Sequence, residues 1–206
     1  MRKIRVLGLV GVLALVLAGC GGGDNRSTVI AQTLSIQSVD GDIGLNGGTY
    51  SISQANVTNN VVFGIDAGGS EFRAFLDFPL DGSNGGDAIP LDAAIVSADI
   101  EVFVNDLSFA ASVPTLLDLV PFPVSGLTSA DFDSTPLLTR SPFDFLPGDV
   151  NNFVRIDITS LMAEAQLLGL SNLQLRFLLD FSAAAGFVEL DDGAGARAPL
   201  LTVEYR

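Results

Sequence analysis

The chain has 206 residues, with 24 acidic and 10 basic side chains, one cysteine and no histidine. Its formal net charge of −14 repels phosphate backbones, which disfavours nucleic acid as a partner. The absence of histidine removes Ser-His-Asp and Cys-His mechanisms and the common catalytic zinc sites, and a lone cysteine excludes an internal disulfide.

The N-terminus has the three parts of an export signal. Arg2, Lys3 and Arg5 are basic, residues 6–17 are apolar, and Leu17-Ala18-Gly19-Cys20 closes the stretch with small residues. These last four look like a bacterial lipobox, at which the cysteine is lipidated and the peptide before it is removed. The apolar run, at about a dozen residues, is shorter than the roughly 20 that span a bilayer. The expected organisation is a signal peptide over 1–19, a lipidated Cys20 heading a Gly-rich tether over 20–31, and one domain over 32–206. Cleavage leaves seven arginines, no lysine and 24 acids, a net charge near −17. One acyl chain binds membranes only marginally, so two or three chains on Cys20 are expected to hold the protein. Gly21 lacks the aspartate that retains such proteins at the inner membrane of enteric bacteria, which favours the outer membrane.

Beyond the tether the pattern alternates with period two, the signature of strands with one dry and one wet face. Weaker strands are expected at 33–39, 49–54 and 61–66. At 71–80 the apolar set is Phe72, Ala74, Leu76, Phe78 and Leu80, with Glu71, Arg73 and Asp77 between. At 95–104 Val96, Ala98, Ile100, Val102 and Val104 alternate with Ser97, Asp99 and Glu101. Residues 112–152 hold six of the nine prolines and are too long for a plain loop; short strands are expected within them, one near 116–120. Next come a strand at 152–158 and one short helix at 160–168, which Thr159 or Ser160 caps and Gly169 ends. Strands at 173–181, 186–190 and 201–205 complete the domain. Turns are expected at Asp40-Gly41, Gly47-Gly48, Gly68-Gly69, Asp81-Gly82 and Asp192-Gly193. The fold class is all-β, an antiparallel jelly-roll β-sandwich with one short helix.

Three segments, in order, carry a family resemblance. Arg73-Ala74-Phe75-Leu76-Asp77-Phe78 with Ile89-Pro90 and residues 94–102 is similar to the "R-x-x-L-x-F … I-P … A-x-I-x-S-A-x-L-x-L" signature of DNRLRE-type domains. Residues 155–161 resemble that family's "I-D-V-T-x-L" strand-to-helix step, and residues 198–205 its closing "R-P-x-L-x-V-x-Y" strand, with Arg197 one place early. The resemblance implies a jelly roll related to carbohydrate-binding modules. It departs from the family in having no tryptophan, where such domains often carry several.

With no histidine and a blocked thiol, catalysis would need a carboxylate pair. The five glutamates, Glu71, Glu101, Glu164, Glu189 and Glu204, fall mostly at wet strand positions or strand ends, so no enzyme is expected. A structural calcium is the stronger ionic reading, because hard cations take several oxygens. Asp40, Asp42, Asp191 and Asp192 are its candidate ligands, with ordinary Asx-Gly turns as the alternative. Phe122, Phe132, Phe143 and Phe145 in the Pro-rich segment either form a docking patch or plug the sandwich. The expected function is a non-catalytic, membrane-anchored lipoprotein presenting a rigid sandwich for envelope-protein contacts; the alternative is a carbohydrate-binding lipoprotein holding polysaccharide.

Overall fold

The computed structural model describes residues 27–54 and 59–206. The signal, Cys20 and most of the tether lie outside them. The strands are β1 (Val29–Leu34), β2 (Gly41–Asn46), β3 (Thr49–Gln54), β4 (Asn60–Ile65), β5 (Glu71–Pro79), β6 (Ile95–Ser108), β7 (Val113–Leu119), β8 (Leu138–Phe145), β9 (Phe153–Asp157), β10 (Asn172–Leu179), β11 (Gly186–Asp191) and β12 (Leu200–Tyr205), with the helix α1 (Thr159–Leu167) between β9 and β10. They pair antiparallel in the order β1-β12-β6-β11-β4-β5-β10-β7-β8, with β2 on β5, β3 on β2 and β9 on β6. This path curls over itself into an all-β, jelly-roll-like sandwich.

The fold-over lies at the β4–β5 corner, where only Gly64–Phe72 and Ile65–Glu71 pair. Gly64 makes the corner possible. Its φ is +110°, and a Cβ there would stand 2.0 Å from the Gly186 carbonyl oxygen, so no other residue fits without moving backbone.

One core lies between the layers. It takes Phe63 from β4, Leu76 and Phe78 from β5, Ile100 and Val102 from β6, Leu175 and Phe177 from β10, and Val188 from β11. Leu161, Met162 and Ala165 of α1 close it at one end. The helix starts one residue earlier than expected, within the usual uncertainty of helix ends. Its N-cap residue is Ile158, so neither Thr159 nor Ser160 caps it, and Asp157 Oδ1 accepts from the Thr159 amide at 2.9 Å. Gly169 ends it as expected, with φ +65°, the left-handed C′ conformation that favours glycine.

Several expectations are corrected. β1 begins at Val29, so residues 29–31 belong to the sheet rather than the tether. Residues 35–40 form a turn instead of continuing the strand expected at 33–39, because the amides of Val39 and Asp40 both donate to Ile36 O. Asp40-Gly41 is not a hairpin turn but the start of β2, a strand whose glycines hide its alternation. Val96 is exposed, since β6 bulges where Glu204 pairs Ser97 and Tyr205 pairs Ile95; the extra residue throws Val96 outward and turns Ile95 toward the core. Phe181 lies past the end of β10 and is exposed. The Pro-rich segment holds two strands, β7 near the expected 116–120 and β8, whose place the sequence does not mark. β8 carries Pro142 at a bulge, where Thr115 pairs Phe143 and Leu117 pairs Arg140, on a sheet-edge strand that tolerates a missing amide.

The largest correction concerns the wet faces. β5 and β10 are buried on both sides. The second side is covered by residues 120–137, whose Val120, Phe122, Leu127 and Phe132 form a smaller apolar cluster with Phe75 of β5, Ile43 of the neighbouring strand β2, and Val39. Of the four phenylalanines expected to dock or plug, Phe122 and Phe132 fill this outer cluster, Phe145 is in the main core and Phe143 packs against it. Phe122 and Phe132 thus cover a face of the sandwich rather than one end.

Candidate functional site

Two polar assemblies are buried in the sandwich, and both contain residues whose positions in the sequence predicted solvent. The first pins the outer layer. Arg176 of β10 donates from Nε and Nη2 to Asp118 of β7, at 3.1 and 2.6 Å. Its Nη1 reaches the carbonyls of Phe132, Ser134 and Asp131 at 2.8, 3.0 and 3.2 Å. Arg73 of β5 also donates to Phe132 O, pairs with Asp133 at 3.0 Å and Glu71 at 2.8 Å, and lies over the Phe132 ring at 3.9 Å.

Farther along the same face, Gln174 exchanges hydrogen bonds with both backbone groups of Phe122, each at 2.9 Å, and donates to Asp77 at 2.8 Å. Burial raises the Asp77 carboxyl above its ordinary range, while the bonds from Gln174 and Asn172 pull it back down. Gln54 of β3 ties Leu127 N and Val39 O at 2.8 and 2.6 Å. An arginine so fully bonded, with its charge matched, is stable in a dry interior. The layer over β5 and β10 is therefore held by specific bonds as well as by apolar contact.

The second assembly is an acid pair. The turn after β1 delivers Asp40 inward, where Oδ1 accepts from the Asp77 amide at 2.6 Å and the Ser35 hydroxyl also donates to it. Alternation along β11 leaves Asp191 facing outward and turns Asp192 in, and the Asp192 amide donates to Asn59 O at 2.7 Å. The two carboxyls face each other, and Asp40 Oδ2 and Asp192 Oδ1, both buried, receive a hydrogen bond from no donor group. Two like charges cannot share such a place, so a proton bridges them. Burial, then the Asp192 charge, raise Asp40 well above the usual carboxylate range. Burial pushes Asp192 up to about 7, with Asp191 adding to the rise and the bond from Asp40 opposing it. Asp42, the next inward residue on β2, is pushed by burial up to about 7, against a hydrogen bond from the Val62 amide.

Above the pair, residues 34–37 and 192–198 enclose a cavity of about 510 Å³, lined by Leu34, Ser35, Gln37, Asp192, Ala194 and Ala198. A neighbouring recess of about 400 Å³ is edged by Gln37, Asn59, Asp191 and Arg197. The facing oxygens of the acid pair carry no solvent-accessible surface. The pair thus joins the start of β2 to the end of β11 as a latch, with its facing oxygens shut off from the cavity.

Of the four aspartates expected to hold calcium, the structure joins Asp40 and Asp192. Asp42 bonds to the Val62 amide instead. Asp191 accepts from the Gly193 amide at 2.9 Å and faces Arg197 at 3.9 Å. Among the described residues, no group of three or more acidic side chains is placed to hold a metal ion. Sequence reasoning missed Arg73, Asp118, Gln174 and Arg176. Their signal was a polar residue within strands whose other face was already apolar, followed by a Phe- and Pro-rich segment long enough to cover them.

Fold and sites define a jelly-roll-like β-sandwich with a pinned outer layer. Compared with known proteins, the chain matches no family model and no curated protein.

Proposed function

We propose that the chain is a non-catalytic lipoprotein of the bacterial cell envelope, anchored through Cys20 at the outer membrane and presenting a rigid β-sandwich to envelope proteins. The observation that carries this reading is the basic, apolar and small-residue sequence ending in Leu17-Ala18-Gly19-Cys20, with the only cysteine of the chain at the modification position. The buried arginine and glutamine bonds support a rigid scaffold, because they fix a covering layer that apolar contact alone would leave free to slide. Membership of the DNRLRE-type domains is part of the proposal. It is supported by the three motifs in order, and Arg73 of the first motif serves as a buried clamp. The test is fractionation. The wild type is expected with membranes, and Cys20→Ser is expected to be released or left as an uncleaved precursor. A wild type found wholly in the soluble fraction overturns the anchor.

The second reading is polysaccharide binding. It is favoured by the recess beside β11, whose edge of Gln37, Asn59, Asp191 and Arg197 offers donors and acceptors for a hydroxyl-rich ligand. A glycan array on the purified protein separates the two: a titratable hit weakened by Asn59→Ala selects polysaccharide, and a blank array selects protein contacts.

A further inference from the structure

One end of the sandwich exposes a group of apolar side chains, and it is the end at which β1 begins. Val29 pairs with Tyr205, and Tyr205 with Ile95, so the first residue of β1 stands in one row with the start of β6. Just before β6, Ala94 and Arg206 exchange two backbone bonds of 3.0 Å, and Pro90 and Leu91 precede them. The C-terminal part of α1 reaches the same place. The Gln166 amide, with its nitrogen turned toward them, donates to Leu91 O at 2.8 Å and Pro90 O at 3.3 Å. At the other end of α1, the Ile158 amide donates to Ala98 O at 2.8 Å. Here Ile30 is 64% exposed, Leu91 64% and Leu167 80%, and Val29, Val96 and Leu168 are exposed beside them.

The length of chain before β1 says what meets this surface. Eight residues lie between Cys20 and Val29, nine steps and a reach of at most about 30 Å even if fully extended. β6 alone, with 14 residues, runs about 45 Å at roughly 3.3 Å per residue. An acyl chain on Cys20 therefore keeps the β1 end nearer the bilayer than the far end. Exposed leucine, isoleucine and valine suit the boundary between headgroups and acyl chains. The strongly acidic cleaved chain, with 24 acids against seven arginines, is repelled by anionic lipid, which selects a zwitterionic surface. Asp92, Arg206 and Glu204, the cross-strand partner of Ile30, edge the patch.

We propose that the apolar end formed by Val29, Ile30, Leu91, Val96, Leu167 and Leu168 rests on the zwitterionic lipid surface that holds the acylated Cys20, orienting the sandwich with its far end outward. This inference rests on the anchoring reading above.

The chain has no tryptophan, so a single introduced one reports its own depth. The mature lipidated protein is reconstituted into phosphatidylcholine vesicles, with and without brominated acyl chains, as Leu167→Trp, as Leu91→Trp and as Phe181→Trp. Phe181 is 78% exposed and lies beyond β10 at the opposite end. The expected result is a blue-shifted emission and bromine quenching at 167 and 91 several times that at 181. Equal quenching at all three positions, quenching greatest at 181, or none at any overturns the orientation while leaving the anchor intact. A purified protein without lipid on Cys20 overturns the anchor, and this inference with it.

Discussion

Asp42 makes the stability of this protein depend on pH in a direction opposite to that of most acidic side chains. It is buried on β2, with the Val62 amide as its partner, and its carboxyl is pushed from an ordinary 3.8 up to about 7. Between those two values the folded chain holds a proton that the unfolded chain has released. Stability from this group is therefore fully present below about pH 4 and is lost as pH rises through about 7. A displacement of roughly three pH units at 1.36 kcal/mol each is worth about 4 kcal/mol. Asp42→Asn keeps an acceptor for Val62 and cannot ionise. The variant is expected to match the wild type near pH 4 and to exceed it at pH 8 by up to about 4 kcal/mol. Urea unfolding followed by circular dichroism at both pH values measures this. High salt in both arms screens the repulsion among surface carboxylates and leaves the buried group nearly untouched. A variant whose stability falls with pH as steeply as the wild type's refutes the reasoning.

Other expectations follow from the same interior. Asp192→Asn replaces the bridging proton with an amide that donates to Asp40, and is expected to flatten the remaining loss of stability as pH rises through about 7; an unchanged profile in the Asp42→Asn background would contradict the latch. Melting temperatures in excess calcium and in chelator, at matched ionic strength, are expected to coincide, since no third acidic ligand joins the pair among the described residues; a rise in calcium would restore these aspartates as metal ligands. Arg176→Met strands Asp118, a loss of about 3–5 kcal/mol, and should open residues 120–137 to protease while the sheet signal persists; protection equal to the wild type's would count against the clamp. Phe78→Ala, in the main core, should cost about 3–5 kcal/mol, and a loss under about 1 kcal/mol would show that Phe78 is not packed there.

The strands that face solvent on one side were legible because their alternation is undisturbed. β3 matches its expected bounds, and β4, β9 and β12 lie within a residue of theirs. What escaped was anything set by a third layer. Arg73, Asp77, Gln174 and Arg176 carry the same polar signal whether water or a folded segment covers them. Only the tertiary path of residues 120–137 decides which it is, and that path depends on bonds to Arg73, Gln174 and Arg176 themselves, with Asp77 bonded to Gln174. β2 was hidden for a different reason. Gly41 and Gly44 lie where neighbours approach closely, a Cβ at Gly44 standing 2.7 Å from the Phe72 ring, and glycines erase the alternation that marks a strand. Of the aspartates at 40, 42, 191 and 192, only Asp40 and Asp192 meet. Their chemistry was not legible, because whether two carboxyls share a proton or a cation depends on how many further oxygens the fold brings to them.

The central claim is that Cys20 carries lipid and holds this sandwich to a membrane, and mass spectrometry of the N-terminal peptide of the membrane-purified protein tests it most directly. The account predicts a peptide that begins at Cys20 and carries the added mass of two or three acyl chains. A peptide with an unmodified cysteine, or one that still includes residues 1–19, would contradict it.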